Sequence, residues 1–313
     1  MYPVLFASTK PLERAENLKA IYDAYEGPKA FCRMDPWRHH AEIKSGKYKL
    51  KVCDEFPTES PGKIIMIGHG YAGGKTSGLE QPHPYMNPAH ADLMDYVICS
   101  GRGMVEKVAQ YSGVHPNQVL PLGMPRTDQY IGKHKGDGKT ELAKYRKTYL
   151  YVPTYRSKEE SPLPSIDWQW LDDQLNDDEL IAVKGHMMSG RLLKRTYKHI
   201  KEYSNSEISA PYLYDADVVI TDYSTIMFDA YLLNKPVVLF DRNFDYLKTR
   251  GMQLDYPYQY SSRWCNTETE MLSMIREADG LTEIEKECIR LVADACDGGS
   301  IMRICELIRR VNK

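Results

Sequence analysis

Several things that would each have fixed a class are missing from this sequence. No stretch of its 313 residues approaches the roughly 18 consecutive apolar side chains that a membrane-spanning helix needs. The first residues, Met1-Tyr2-Pro3, carry neither the basic region nor the long apolar run of a signal peptide, so a cytoplasmic protein is expected. Neither charge is in surplus: 41 Lys and Arg stand against 43 Asp and Glu, a net charge of −2. A dedicated nucleic-acid binder carries excess positive charge to neutralise phosphates, so nucleic acid is not expected as a partner. The seven cysteines, at 32, 53, 99, 265, 288, 296 and 305, are odd in number and form no Cys-x-x-Cys pair. They sit among apolar neighbours as reduced core thiols would, and their spacing suggests neither a disulfide framework nor a zinc site. Internal repeats and low-complexity tracts are absent as well.

What remains is ordinary globular composition, 42% hydrophobic, in a chain long enough for two domains with a core each. Apolar runs alternate with helical spacings, the signature of a parallel sheet. Tyr2–Ala7 reads as a strand and Leu12–Tyr25 as a helix. Further strands are predicted at Lys63–Ile67, Tyr96–Cys99 and Gln118–Leu122, with a helix near Gly103–Ser112. Residues 132–139, with three glycines and no large apolar side chain, then break the pattern and read as a linker. A second series follows, with strands at Thr148–Val152, Glu179–Lys184, Asp217–Thr221 and Pro236–Phe240. Its helices are expected around Asp167–Leu175 and Thr225–Leu233. The expected architecture is α/β: Rossmann-like domains over 1–138 and 139–280, then C-terminal helices over 281–313 packing on them. In those helices Ile284, Cys288, Leu291, Val292 and Ala295 are expected on one buried stripe. Two facing Rossmann-like domains leave a central cleft at the carboxyl ends of their strands, where α/β folds bind ligands.

Several motifs fall at those strand ends. Gly68-His69-Gly70-Tyr71-Ala72-Gly73-Gly74-Lys75-Thr76 has the spacing of a dinucleotide fingerprint, but glycines and prolines follow where a helix should open. The missing helix, and His69 where the first glycine of a phosphate loop should stand, also count against a phosphate loop ending in Gly74-Lys75-Thr76. This leaves a strand-end loop presenting His69 and Lys75 to a cleft, ahead of a plain turn. Gly123-Met124-Pro125-Arg126-Thr127-Asp128 offers Arg126 as a bidentate donor to an anion, or a local pair with Asp128. Thr154 and Arg156 end one strand, and Lys184 and His186 end another, a cationic rim suited to phosphate. Thr221-Asp222-Tyr223-Ser224-Thr225 runs from an apolar strand into a helix, with Ser224 as a natural N-cap. The first-turn amides there form an anion site, or simply a capped helix. The basic residues between Lys184 and Lys201, Arg191, Lys194, Arg195, Lys198, His186 and His199, read as a solvated helix face, a membrane-surface patch or part of the anion site.

Taken in order, these motifs resemble the CDP-glycerol glycerophosphotransferase family of teichoic-acid primases and polymerases. The match covers about residues 64–265: His-Gly at 69–70, Gly-x-Pro-Arg-x-Asp at 123–128, Pro-Thr-x-Arg at 153–156, Lys-x-His at 184–186, Ile-Thr-Asp-Tyr-Ser at 220–224, Phe228-Asp229, Lys235-Pro236 and Arg250-Gly251. The resemblance implies a GT-B architecture with the nucleotide held mainly by the C-terminal domain. It also implies transfer of glycerol phosphate, or a related polyol phosphate, from a CDP-activated donor to a hydroxyl of a lipid-linked or polymeric glycan acceptor, releasing CMP. By motif, His69 matches the general base and His186 the second essential histidine, near the donor phosphates. Arg126, Ser224 and Thr225 fall where the family handles pyrophosphate. Asp128, Thr154, Arg156, Lys184, Thr221, Asp222 and Asp229 are expected on the donor side, and Gly70 and Lys75 on the acceptor side.

The implied chemistry suits these residue types. A neutral hydroxyl attacking phosphorus needs a base near neutral pH, and cations with helix-end amides can hold the developing charge. No cofactor is required, Mg²⁺ is not indicated, and the reading finds no Asp-x-Asp that would serve as a nucleotide–metal clamp. The resemblance extends to peripheral contact with the inner face of the cell membrane. Two departures stand out: Gly68 precedes the His-Gly pair where the family usually has Trp, and Tyr71-Ala72 follow where it has Thr-Pro. The long N-terminal extension of the large polymerases is also missing, which favours a single-addition or short-acting enzyme. A GT-B glycosyltransferase using a nucleotide sugar is the principal alternative, ahead of a phosphate-loop NTPase or a non-catalytic nucleotide-binding module.

Overall fold

Continuous apolar runs become the strands of two parallel sheets, because strands covered by helices on both faces need apolar side chains on both. The computed structural model describes residues 2–34, 46–54, 61–68, 88–154, 165–186, 189–242 and 258–313. It divides into two units, Met1–Ile131 with Arg290–Lys313, and Gly132–Ile289.

Unit 1 holds β1 (Val4–Ser8), β2 (Lys29–Arg33), β3 (Leu50–Cys53), β4 (Lys63–Met66), β5 (Tyr96–Cys99) and β6 (Val119–Pro121). All neighbours are parallel, in the order β2-β1-β3-β4-β5-β6. Helices α1 (Glu16–Ala24) and α2 (Val105–Ser112) belong to the same unit. The sequence reading missed β2 and β3. In β3 the cause is Lys51, which interrupts the apolar pattern yet is only 1% exposed, its ammonium donating to the Pro61 carbonyl.

Unit 2 holds β7 (Lys147–Tyr151), β8 (Glu179–Val183), β9 (Ile200–Glu202), β10 (Val218–Thr221), β11 (Val237–Phe240) and β12 (Trp264–Cys265). The order is β12-β11-β10-β7-β8-β9, again parallel throughout. Read from the other edge and renumbered along the unit, this is the 3-2-1-4-5-6 order of the dinucleotide-binding fold, with its topological switch point between β7 and β10. Its helices are α3 (Trp168–Gln174), α4 (Ala210–Asp215), α5 (Ile226–Leu232) and α6 (Glu268–Glu277). The Asp167 carboxylate opens α3 by accepting from the Trp170 N–H at 3.0 Å, an N-cap bond.

The glycine-rich segment 132–139 is fastened rather than loose. Asp215 accepts from the N–H groups of Gly136, Gly138 and Thr140 and from the Thr140 hydroxyl, at 2.7–3.1 Å. Gly136 has φ +101°, and a Cβ on Gly138 would lie 2.0 Å from the Pro211 carbonyl oxygen, so both positions require glycine.

The last two helices are α7 (Glu283–Val292) and α8 (Ser300–Val311). α8 inserts Ile304, Leu307 and Ile308 into the core of unit 1, beside Leu18, Ile21 and Val52. Each such side chain contributes roughly 1.5–3 kcal/mol by leaving water. The expected stripe on α7 needs correcting. Cys288 and Val292 are buried, whereas Ile284 and Leu291 are 47% and 50% exposed and Glu285 is fully buried. Glu285 closes a capping box with Thr282, accepting from its N–H at 2.8 Å, and both its oxygens accept from Arg263 at 2.8 Å. An ion pair thus holds a position that hydropathy alone gives to the surface. All seven cysteines are buried thiols outside any disulfide, and burial pushes those of Cys53, Cys99 and Cys265 up to about 12. At neutral pH they are protonated and inert.

Candidate functional site

Strand register brings three of the singled-out motifs to one edge. Val183 of β8, Tyr151 of β7 and Ile220 of β10 lie side by side, so the residues after them leave the sheet together. Adjacent strands are about 4.8 Å apart, which puts the ends of β8 and β10 about 10 Å apart across β7. Lys184–His186, Val152–Thr154 and Asp222–Thr225 therefore share the carboxyl edge at the switch point.

Within this edge the structure separates frame from surface. Asp222 is 3% exposed, and its Oδ1 accepts from the Thr154 N–H at 3.0 Å, the Thr154 hydroxyl at 2.6 Å and the Tyr223 N–H at 2.7 Å. Thr221, fully buried, donates its hydroxyl to the Val152 carbonyl at 2.6 Å. These bonds lock the end of β7 to the end of β10. Lys184, expected on the phosphate, is 1% exposed, and its ammonium donates to the carbonyls of Ser204 at 3.0 Å and Glu207 at 2.7 Å. Asp229 is buried on α5. His186 is exposed, and Ser224 and Thr225 are half-buried. Ser224 is not the N-cap that the sequence suggests: Thr225 holds that place without a side-chain bond, and the Ser224 hydroxyl accepts from the Ile226 N–H at a long 3.4 Å. Its oxygen is thus only weakly committed to the helix.

Arg126 and Asp128 belong to unit 1 and do not pair as the local reading had it. Asp128 accepts from the N–H groups of Ser300 at 3.1 Å and Ile301 at 2.8 Å, which anchors the first turn of α8. Arg126 is half-buried, and its backbone N–H donates to Asn17 Oδ1 at 3.0 Å. The sequence does contain an Asp-x-Asp, Asp215-Ala216-Asp217, that its reading passed over. Asp215 is occupied as described above, and Asp217 Oδ2 accepts from Lys135 and Thr148, so the pair fastens the amino edge of the sheet. Among the described residues no group of three or more His, Cys, Asp or Glu could hold a metal ion. His69, Gly70, Lys75 and Arg156 lie outside the described residues, as do Arg250 and Gly251.

A family profile described as CDP-Glycerol:Poly(glycerophosphate) glycerophosphotransferase matches residues 55–310. The chain belongs to this family. The teichoic acid poly(ribitol-phosphate) polymerase of Bacillus spizizenii is 26% identical over 284 residues, 82% of this chain and 46% of that protein. The teichoic acid glycerol-phosphate primase of Bacillus subtilis is 28% identical over 238 residues, 71% of this chain and 62% of the primase. The chain thus spans about half to just under two-thirds of these curated relatives. Among solved structures, the wall teichoic acid polymerase TagF superposes with a TM-score of 0.73 at 18% identity, over 98% of this chain and 88% of the other. S. aureus MnaA with UDP gives 0.65 at 12% identity, over 99% and 96%. Those likenesses are of fold, and the fold is GT-B, as the ordered motifs implied.

For a member of the glycerophosphotransferase family, the sequence reading missed two amides at the strand ends. Asn17, 5% exposed on α1, accepts from Arg126 through Oδ1 and donates through Nδ2 to the Gly68 carbonyl at 3.5 Å. It ties the end of β4, immediately before His69, to the backbone of Arg126. Asn205 donates through Nδ2 to the carbonyls of Ser189 at 3.1 Å and Gly190 at 3.3 Å, just past His186. Neither position follows a periodic pattern, so nothing in the sequence marks it. Among the described residues no helix is long and apolar enough to cross a membrane.

Proposed function

We propose that this chain transfers glycerol phosphate, or a related polyol phosphate, from a CDP-activated donor to a hydroxyl of a lipid-linked or polymeric glycan acceptor, releasing CMP. The observation that carries this reading is the switch-point edge of unit 2. There a carboxylate-locked frame leaves His186, Ser224 and Thr225 accessible, where α/β folds bind nucleotides, in a chain of this family. A TagF structure of the same fold was soaked with CDPG, and the curated relatives are named for glycerol-phosphate and ribitol-phosphate transfer.

In the proposed reaction the acceptor oxygen bonds to the phosphorus bearing the polyol, and the bond from that phosphorus to the CMP oxygen breaks. The hydroxyl proton passes to the His69 imidazole, which is basic enough near neutral pH. His186 and Arg126 are the cationic groups assigned to the phosphate charge, and the Ser224 and Thr225 hydroxyls serve as neutral donors. The proposal includes no cofactor. A lipid-linked acceptor puts the work at the inner face of the cell membrane, with the protein in peripheral contact.

Calorimetric titration with CDP-glycerol, CDP-ribitol, CMP, UDP-glucose and ATP tests the donor class without any acceptor. The expected result is cytidine preference, weakened by Arg126→Ala, together with transfer abolished but donor binding retained in His69→Ala. Tight UDP-glucose binding with none of CMP would replace this reading with sugar transfer.

A further inference from the structure

We propose that Lys184 and Asn205 are positioning residues that set the place of His186, and that Lys184 is not a ligand of the donor phosphate. The inference rests on the proposed role of His186 and assigns it a support.

Lys184 is the first residue beyond β8 and two before His186, and a lysine only 1% exposed needs its ammonium fully engaged. It is engaged by the Ser204 and Glu207 carbonyls and lies 5.6 Å from the centre of the Tyr212 ring. These contacts fasten the turn 204–207 beneath the strand end. The same turn is closed by the Glu207 N–H donating to the Ser204 carbonyl at 3.2 Å, and the Tyr212 hydroxyl donates to the Glu207 carboxylate. Its entry is tied to the sheet through the Tyr203 N–H and the Val183 carbonyl at 2.9 Å.

Asn205 projects from this fixed turn onto the segment that carries the histidine. Its amide holds the Ser189 and Gly190 carbonyls, and the Ser189 N–H donates to the His186 carbonyl at 2.7 Å. A Cβ on Gly185 would stand 3.0 Å from Asn205 Oδ1, so glycine there lets the amide lie against the backbone next to His186. The backbone that carries the exposed imidazole is therefore held from both sides, by β8 before it and by the Lys184–Asn205 brace after it. Such support matters because misplacing a reacting group by about 1 Å can cost about a hundredfold in rate.

The test uses Lys184→Met, Asn205→Asp and the double variant in the full chain. CDP-glycerol affinity is measured by calorimetry, kcat by transfer, and backbone exchange at Gly185, His186, Ser189 and Gly190 by mass spectrometry. Positioning predicts kcat down about tenfold or more in each single variant, affinity within about twofold of wild type, faster exchange at those four residues, and a double variant little worse than the worse single. Asn205→Asp keeps the shape but sets a carboxylate oxygen against the two carbonyls in place of the donor, so it opens the brace directly and decides the matter should Lys184→Met not fold. A tenfold loss of CDP-glycerol affinity in Lys184→Met with unchanged exchange would overturn the proposal and make Lys184 a phosphate ligand. If the wild-type protein itself ignores CDP-glycerol, the transferase reading fails instead. The exchange data then judge the brace alone, and unchanged exchange in both single variants overturns it.

Discussion

The carboxyl edges of the two sheets are fastened by different chemistry. In unit 2 a carboxylate, Asp222, gathers two backbone N–H groups and a hydroxyl across the switch point. In unit 1 a neutral amide, Asn17, reaches from α1 to join the end of β4 to the backbone of Arg126. Hydrogen bonds to a carboxylate contribute roughly twice what neutral ones do, so the unit 2 edge is the more firmly preorganised. Such a frame suits the role proposed for unit 2, since preorganised dipoles cost no reorganisation when charge develops.

The comparison breaks most visibly at Asp222. Asp222→Ala leaves three buried donors without their acceptor and should cost about 3–5 kcal/mol, read as a fall in the urea midpoint. Asp222→Asn, which keeps one acceptor oxygen, should cost about 1–2 kcal/mol. Equal midpoints for Asp222→Ala and wild type would show that the carboxylate is not the fastening of this edge.

Acid sharpens the contrast, because unit 2 depends on ionisation at its amino edge too. Burial opposes charge on Glu179, but the Arg276 guanidinium and the Tyr149 hydroxyl outweigh it and hold the carboxyl at about 2. A carboxyl depressed in the folded state contributes stability above its ordinary value, near 4.5, and loses it as pH falls through about 2. Roughly 3 kcal/mol should disappear over that window. Arg276→Met should therefore lower the urea midpoint at pH 7 and converge on wild type near pH 2. A deficit that stays constant across this range would sink the ion-pair account. The Asn17 bridge carries no ionisable group and should not respond.

Asn17→Ala comes next, at about 1–2 kcal/mol, since it removes two neutral bonds, one of them long. Asn17→Asp keeps the acceptor for Arg126 and loses the donor to Gly68. Activity restored in Asn17→Asp relative to Asn17→Ala would assign the effect to the Arg126 side; equal losses would assign it to the Gly68 side, next to His69.

How much of this could be read beforehand follows the same physics. The strands β4, β5, β7, β8, β10 and β11 were legible because they are continuous apolar runs, and the ordered motifs gave the GT-B fold and the family. Apart from the short edge strands β2 and β12, what stayed hidden was polar and buried. Lys51 masks β3, the Ile200–Glu202 strand has one apolar residue, and Glu285 sits inside where Ile284 and Leu291 were expected. Each of these depends on a partner remote in sequence or on a backbone carbonyl, which periodicity does not register. The same applies to the candidate site: the motifs of unit 2 fall at strand ends that share one edge, but the bonds of Thr154, Thr221, Asp222 and Lys184 set these residues within the frame.

The smallest expected change in stability is at Ser224, and it carries the most direct information on function. An N-cap serine normally contributes about 1 kcal/mol, through a short bond to a first-turn amide. Here the bond is 3.4 Å long and the cap position belongs to Thr225, so Ser224→Ala should cost no more than about 0.5 kcal/mol. An oxygen so weakly committed to the helix is available to a ligand. If it meets the donor phosphate, the same variant should weaken CDP-glycerol binding about tenfold, the loss expected when one hydrogen bond to a charged group is removed. A large stability loss with unchanged affinity would return Ser224 to the helix and leave His186 and Thr225 as the accessible residues of the unit 2 edge.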